Sequence, residues 1–132
     1  MEKLRSYILP ISSLFLSITF LAIGYGIMIT YIGVYLKQAG VSSFSIGLIN
    51  SAFFLGAIAS SIFRQKIIST IGHIRSFASF AALMVIAFLL HSIYLNEFFW
   101  GFLRLISGFS FYALLIIVES WLNEKSSNSQ RG

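Results

Sequence analysis

Long stretches without a charged residue are the feature that most constrains how this chain can fold. No Asp, Glu, Lys or Arg occurs in residues 6–36, 38–63 or 76–96, and a fourth apolar stretch begins at Phe98. About 20 apolar residues are enough for a helix to cross a bilayer, and a longer stretch spans it with tilt. Only 10% of the residues are charged, well below the share typical of soluble domains. The sequence therefore predicts an all-α integral membrane bundle of four transmembrane helices.

The predicted spans form a single membrane domain and lie at about residues 11–36, 44–63, 74–94 and 98–122. The first uncharged stretch is much longer than the apolar core of a signal peptide, which has about 7–15 residues. We therefore interpret it as a retained span, with cleavage after a small residue such as Ala22 as the alternative. Pro10 is expected in the first turn of this helix, where proline is tolerated.

Two connections between the spans have distinct compositions. In the first, Gly40 is expected to end the first helix in a left-handed conformation, and Ser42 or Ser43 is expected to cap the second helix. The second connection is a basic island, residues 64–75, which contains three cations, a histidine and a glycine. Because it lies between two apolar stretches, we expect the basic island to form a tight loop.

The cations predict the orientation, because Lys and Arg near span ends accumulate on the cytoplasmic side. Lys37 alone falls on one side of the predicted bundle, and Arg104 lies within the fourth span. The remaining seven cations fall on the other side, and they are Lys3, Arg5, Arg64, Lys66, Arg75, Lys125 and Arg131. We expect a multi-pass protein of the cytoplasmic (inner) membrane with both termini cytoplasmic. Nucleic-acid binding is disfavoured, because the cations do not gather on one polar face.

A few polar and small residues inside the spans are the candidates for function. Arg104 is costly within a span, so it is expected to face a central cavity, with snorkelling to the interface as the alternative. Asn50 is either an interhelical hydrogen-bonding group or a cavity group. Gly24 and Gly26 allow close helix packing or leave room for a solute. These four residues are the substrate-cavity candidates.

Enzymatic chemistry is not expected. The chain has no aspartate and no cysteine, and its two histidines, His73 and His91, lie in different segments. It therefore lacks the residues of a Ser-His-Asp arrangement and has no cluster at metal-ligand spacing. We expect no catalytic residue, no metal and no cofactor.

Three stretches resemble the N-terminal part of the major facilitator superfamily of transporters. Residues 40–48 are similar to the turn between helices 1 and 2 of those proteins. Residues 71–75 resemble the end of the loop 2–3 signature Gly-x-x-x-Asp-Arg-x-Gly-x-Arg-Arg, although Gln65 and Ser69 occupy its first glycine and aspartate positions. Residues 104–108 resemble the helix 4 signature Arg-x-x-x-Gly. Further similarity, to one poorly characterised bacterial branch, lies in residues 118–123 and 131–132.

The resemblance implies a fold of about twelve helices in two halves, with the solute site between the halves. This chain would supply helices 1 to 4, as a fragment of a secondary active transporter that moves small solutes by alternating access. Its partners would be the lipid bilayer, a small solute, and the missing C-terminal helices or a second chain. Some members use the helix 4 arginine in proton-coupled exchange, which makes proton coupling an open alternative here.

The resemblance also implies a gate at the cytoplasmic end of the bundle. In the family, an acid at this end of helix 4 docks against basic residues of loop 2–3. In this sequence the acid is Glu119, with Arg75 as the first choice of partner and Arg64 as the second. Gly72 belongs to the same loop signature. These four residues are the cytoplasmic gate candidates.

Two other functions stay open at this point. One is a complete four-helix exporter that dimerises, although the first span lacks the membrane-embedded glutamate that such exporters carry. The other is a membrane scaffold that transports nothing.

The orientation gives a first testable prediction. Single-cysteine variants Ser69→Cys and Ser42→Cys would be labelled from outside the cell with an impermeant thiol reagent. We expect labelling at position 42 but not at position 69, because the cation bias keeps the basic island inside. The opposite result would invert the topology.

Overall fold

The computed structural model describes residues 1–131, with side chains described as far as Ser127. It contains four helices, namely α1 (Glu2–Gln38), α2 (Ser43–Ile71), α3 (His73–Leu90) and α4 (Glu97–Arg131). Each of the four is long and apolar enough to cross a membrane. The all-α membrane bundle predicted from the sequence is thus confirmed. Arg131, counted above in the cation bias, lies beyond the described side chains, and Gly132 lies outside the described residues.

The turn between α1 and α2 has the geometry predicted for it. Gly40 adopts a φ of 84°, which is the left-handed conformation that favours glycine. The backbone N–H of Val41 donates to the Leu36 carbonyl at 3.0 Å, and that of Gly40 donates to the Lys37 carbonyl at 3.1 Å. These two bonds form a Schellman motif, which satisfies carbonyls at the end of α1.

Side chains cap the starts of α2 and α4. The Ser42 hydroxyl accepts a hydrogen bond from the Ser45 backbone N–H at 3.2 Å, as predicted for Ser42. The side chain of Asn96, for which no cap was predicted, accepts from the backbone N–H groups of Phe98 and Phe99 at 3.0 and 3.2 Å. Both caps satisfy donors that a helix start leaves without intrahelical partners.

The basic island is helical, so the prediction of a loop across residues 64–75 was wrong. Only Gly72 separates α2 from α3, at a φ of 89°. The island contains no proline, and no glycine precedes Gly72, so nothing breaks α2 earlier. Ile67 and Ile68 are half-buried and, with residues of α4, line a small crevice, which extends the α2–α4 contact past the predicted end of the second span.

Each end of the bundle is named after the glycine in its turn. The Gly40 end contains the α1–α2 turn and the α3–α4 connection, and the Gly72 end contains the α2–α3 turn. Both α2 and α4 run from the Gly40 end to the Gly72 end, and so they are parallel.

Two other helix boundaries differ from the predicted spans. α1 begins at Glu2, so Pro10 lies inside the helix and not in its first turn. α3 ends at Leu90, four residues before the predicted end of the third span. There the backbone N–H groups of Ser92 and Ile93 donate to carbonyls three residues earlier, which tightens the chain into a turn.

The closest helix contact joins α2 to α4 at two glycines. A Cβ atom added to Gly56 would lie 2.7 Å from the Phe109 backbone nitrogen and would overlap the Leu105 carbonyl. A Cβ atom added to Gly108 would overlap the Phe53 carbonyl. Each glycine therefore lies directly against the backbone of the other helix, which is how small residues hold helices together in lipid.

α1 is the least buried helix. Only 6% of its most apolar window is buried, against 56% for α4. Its packing concentrates near the Gly40 end, where Ile32 and Leu36 are fully buried in a core with Ile49 and Trp100. α1 is thus packed mainly near the Gly40 end, and Leu14, toward the other end, is its one further buried residue.

The glycine contact predicts a sharp difference between two alanine substitutions. Gly56→Ala should destabilise the bundle by at least about 1–3 kcal/mol, because its Cβ would overlap backbone atoms that cannot move independently. Gly26→Ala is the matched control, because no atom lies within 4 Å of its added Cβ. Reversible unfolding in mixed micelles would measure both. Equal stability of the two variants would contradict the glycine contact.

Candidate functional site

Arg104 lies in the interior of the bundle. Its side chain is only 1% exposed. The guanidinium carbon is 4.7 Å from the centroid of the Phe53 ring on α2 and 5.9 Å from that of the Tyr25 ring on α1. Arg104 is therefore enclosed by aromatic faces from two other helices, an arrangement that stabilises a cation. In this structure it neither snorkels to an interface nor lines an open cavity.

The charge of Arg104 has no partner of opposite charge within the described side chains. Its Nε and Nη1 atoms are buried and make no hydrogen bond there. The nearest acid on the same helix is Glu97, which is exposed and seven residues away, or about 10 Å along the axis. Because arginine stays protonated at any working pH, the site holds an uncompensated positive charge.

The rings of Phe53 and Phe111 form a pair that we call the aromatic slot. Their centroids are 6.1 Å apart, with one ring on α2 and the other on α4. The Tyr25 ring stacks on both, at 4.7 Å from each centroid. The Tyr25 ring also lies 5.9 Å from the Arg104 guanidinium carbon. One side chain of α1 thus packs against both rings of the slot and lies beside the guanidinium.

The other cavity candidates lie close to this site in the chain. Gly24 and Gly26 stand on either side of Tyr25, and no atom lies within 4 Å of a Cβ added to either. They are therefore not part of a tight helix contact. Asn50 lies one turn before Phe53 on α2, and its buried Oδ1 atom has no hydrogen-bond partner within the described part of the chain. Asn50 is thus another of the unsatisfied polar groups inside the bundle.

The gate candidates gather at the Gly72 end, but Arg75, the first choice of partner for Glu119, lines a different groove from Glu119. Glu119 is exposed and makes no ion pair among the side chains described as far as Ser127. It shares a groove of about 250 Å³ with Arg64, the second choice. Arg75 lines a different groove, of about 430 Å³, together with Glu124. The structure therefore groups Glu119 with Arg64 and not with Arg75.

An additional contact at the Gly72 end was not predicted. His73, the first residue of α3, has its Nε2 atom 3.2 Å from the Ser120 hydroxyl and its Nδ1 atom 3.7 Å from a Glu124 carboxylate oxygen. These contacts join the start of α3 to the last turns of α4. The only sequence signal was the position of His73 directly after the glycine that breaks the helix.

The aromatic residues around Arg104 were also missed. Phe53 and Phe111 belong to a chain with 14 phenylalanines, so neither stands out by composition. For Tyr25 the only signal was its position between Gly24 and Gly26, which were cavity candidates. Which rings meet across three helices depends on helix register, which a single sequence does not reveal.

Comparison with known proteins finds transporters. Over 131 residues, or 98% of its length, the chain is 24% identical to proteins named uncharacterized MFS-type transporter YcaD from Salmonella arizonae and Salmonella typhimurium. The match covers 34% of each relative, so the chain spans about a third of their length. No protein-family model and no solved structure matches the chain. The resemblance to the N-terminal part of the major facilitator superfamily is confirmed over nearly the whole chain.

Proposed function

We propose that this chain forms the first four helices of a major facilitator transporter, which moves small solutes across the cytoplasmic membrane by alternating access. The similarity to transporters along 98% of the chain supports the class. The observation that carries the proposal is the buried, uncompensated charge of Arg104. Burying an unpaired guanidinium is unfavourable. A scaffold gains nothing from such a group, whereas a transporter uses it on its solute or ion pathway.

The solute pathway would run along the faces of α1, α2 and α4 that meet at Arg104. Gly24, Gly26 and Asn50 would contribute to it, because they supply open space and an unsatisfied amide near the same site. Further helices would close the opposite side, either from the same polypeptide or from a second chain, since the relatives are about three times as long. Such helices meet near the midplane in transporters of this architecture.

The proposed role of Arg104 is electrostatic. Arginine keeps its proton, so it would not itself carry one across the membrane. It would hold an anionic group of the solute, or favour the ionised form of an acid on a neighbouring helix. The second role is the route by which transport would couple to protons.

The Gly72 end is the proposed cytoplasmic gate, with both chain termini on the same side of the membrane. Glu119 and Arg64 share one groove, and Arg75 shares another with Glu124. We propose that Glu119 and Arg64 form a latch when the gate closes. The contacts of His73 with α4 would keep the start of α3 in place beside that latch.

Alternating access can be tested without knowing the solute, because the chain contains no cysteine. In a cysteine-free chimera, this chain would replace the matching third of the Salmonella arizonae relative. Ser107→Cys, one turn from Arg104 and fully buried, would then be treated with an impermeant thiol reagent in cells and in inverted vesicles.

We expect Ser107→Cys to react from both sides of the membrane, because each open state exposes the Arg104 site in turn. Ala87→Cys on α3, where the native residue is 2% exposed, is the buried control and should react from neither side. The rates should differ by at least about tenfold, since even a minor open state exposes the site for part of the time. Equally slow reaction at both positions would favour a scaffold.

The latch gives a separate prediction in the same chimera. A double-mutant cycle on Glu119→Gln and Arg64→Gln should show a coupling of a few tenths to about 1 kcal/mol, as expected for an exposed pair. The matched cycle on Glu119→Gln and Arg75→Gln should show none, because those residues line different grooves. Protection of a cytoplasmic cysteine from labelling would be the readout. Stronger coupling to Arg75 would contradict the proposed latch.

A further inference from the structure

We infer that the Arg104 site binds small aromatic carboxylates, and that Tyr25 occupies the place of such a ligand in this structure. The inference deepens the proposed function and rests on it, because it names the class of solute for the same site. It depends on three features, namely the unpaired charge, the shape of the aromatic slot and the light packing of α1.

The unpaired positive charge of Arg104 favours an anionic ligand. All four acids of the chain, Glu2, Glu97, Glu119 and Glu124, are exposed, whereas Arg104 is buried. Water can accept hydrogen bonds from the free Nε and Nη1 groups, but it cannot neutralise the guanidinium. A carboxylate supplies the missing negative charge, and its two oxygens match two adjacent N–H groups of the planar guanidinium.

The aromatic slot favours a ligand with a flat ring. The Tyr25 ring stacks on both Phe53 and Phe111, and its centroid lies 5.9 Å from the Arg104 guanidinium carbon. A benzoate ion placed in the same way would keep both ring contacts. Its carboxylate would also bring a negative charge beside the guanidinium, where Tyr25 is neutral. Tyr25 is thus an uncharged stand-in for the ligand that the site would bind best.

The light packing of α1 near Tyr25 would allow the Tyr25 ring to leave the slot. Ile32 and Leu36 anchor the helix near the Gly40 end, away from Tyr25. Gly24 and Gly26 flank Tyr25 with open space on their Cβ sides, and each weakens the helix by roughly 1 kcal/mol relative to alanine. A local bend at these glycines would withdraw the Tyr25 ring without moving α2 or α4.

The test is equilibrium binding of radiolabelled benzoate to the full chain in lipid nanodiscs, with empty nanodiscs subtracted. Tyr25→Ala should tighten benzoate binding by about tenfold or more, because the competing ring no longer fills the slot for most of the time. Benzamide, which has the same shape but no charge, should fail to compete. Acetate, which has the charge but no ring, should compete only weakly.

Matched variants separate the site from general effects. Tyr31→Ala removes another, more exposed tyrosine of α1 and should leave benzoate binding unchanged. Lys37→Gln removes an exposed cation and should also leave it unchanged. Arg104→Lys keeps the charge but loses the fork, so it should weaken binding severalfold, and Arg104→Gln should abolish it. Size-exclusion profiles would show which variants remain folded.

Three outcomes would overturn the inference: no benzoate binding to either the native chain or Tyr25→Ala, equal binding to both, or competition by benzamide as strong as that by benzoate. The comparison of benzoate with benzamide needs no variant, so it stands even if an Arg104 variant does not fold. Loss of benzoate binding together with two-sided labelling of Ser107→Cys would reject only the solute class. Loss of that labelling would reject the proposed function itself.

Discussion

Direct backbone contact between α2 and α4 holds the centre of this bundle together. In lipid there is little hydrophobic gain in bringing two apolar helices together, so close packing has to supply the association. Gly56 and Gly108 supply it, because each lies against the backbone of the opposite helix. The same contact brings Phe53 beside α4 and so gives Arg104, one turn before Gly108, an aromatic face to lie against. The charged site therefore depends on the absence of two side chains.

Sequence reasoning was most reliable where a single residue type decides local geometry. The left-handed Gly40 and the capping Ser42 were both predicted, because only a few residue types do these jobs well. It failed on the basic island, because charge marks where the membrane ends and not where a helix ends. α2 continues past the predicted span as far as Ile71, and only the conformation of Gly72 stops it.

Some features of the candidate site follow from the sequence, and others do not. That Arg104 would lie inside the bundle follows from the cost of exposing a guanidinium to lipid. That it would meet Tyr25 and Phe53 does not follow, because those contacts depend on the relative rotation of three helices. The choice between Arg75 and Arg64 as the partner of Glu119 depends on helix boundaries in a related way. Once the island is helical, Arg64 lies on α2 beside α4, whereas Arg75 belongs to the first turn of α3.

The shortness of α3 has a consequence for the surrounding lipid. Its 18 residues extend about 27 Å, less than the roughly 30 Å of a typical hydrocarbon core, whereas the 37 residues of α1 extend about 55 Å. Because a short helix cannot tilt its way out of this mismatch, the bilayer must thin beside α3, or the polar residues at its ends must reach outward for the headgroups. Lipid beside α3 would then be thinned, whereas the longer α1 would tilt, kink or thicken the bilayer beside it. Membrane thickness thus acts in opposite directions on the two flanks of this protein, because α3 is shorter than the hydrocarbon core and α1 is longer.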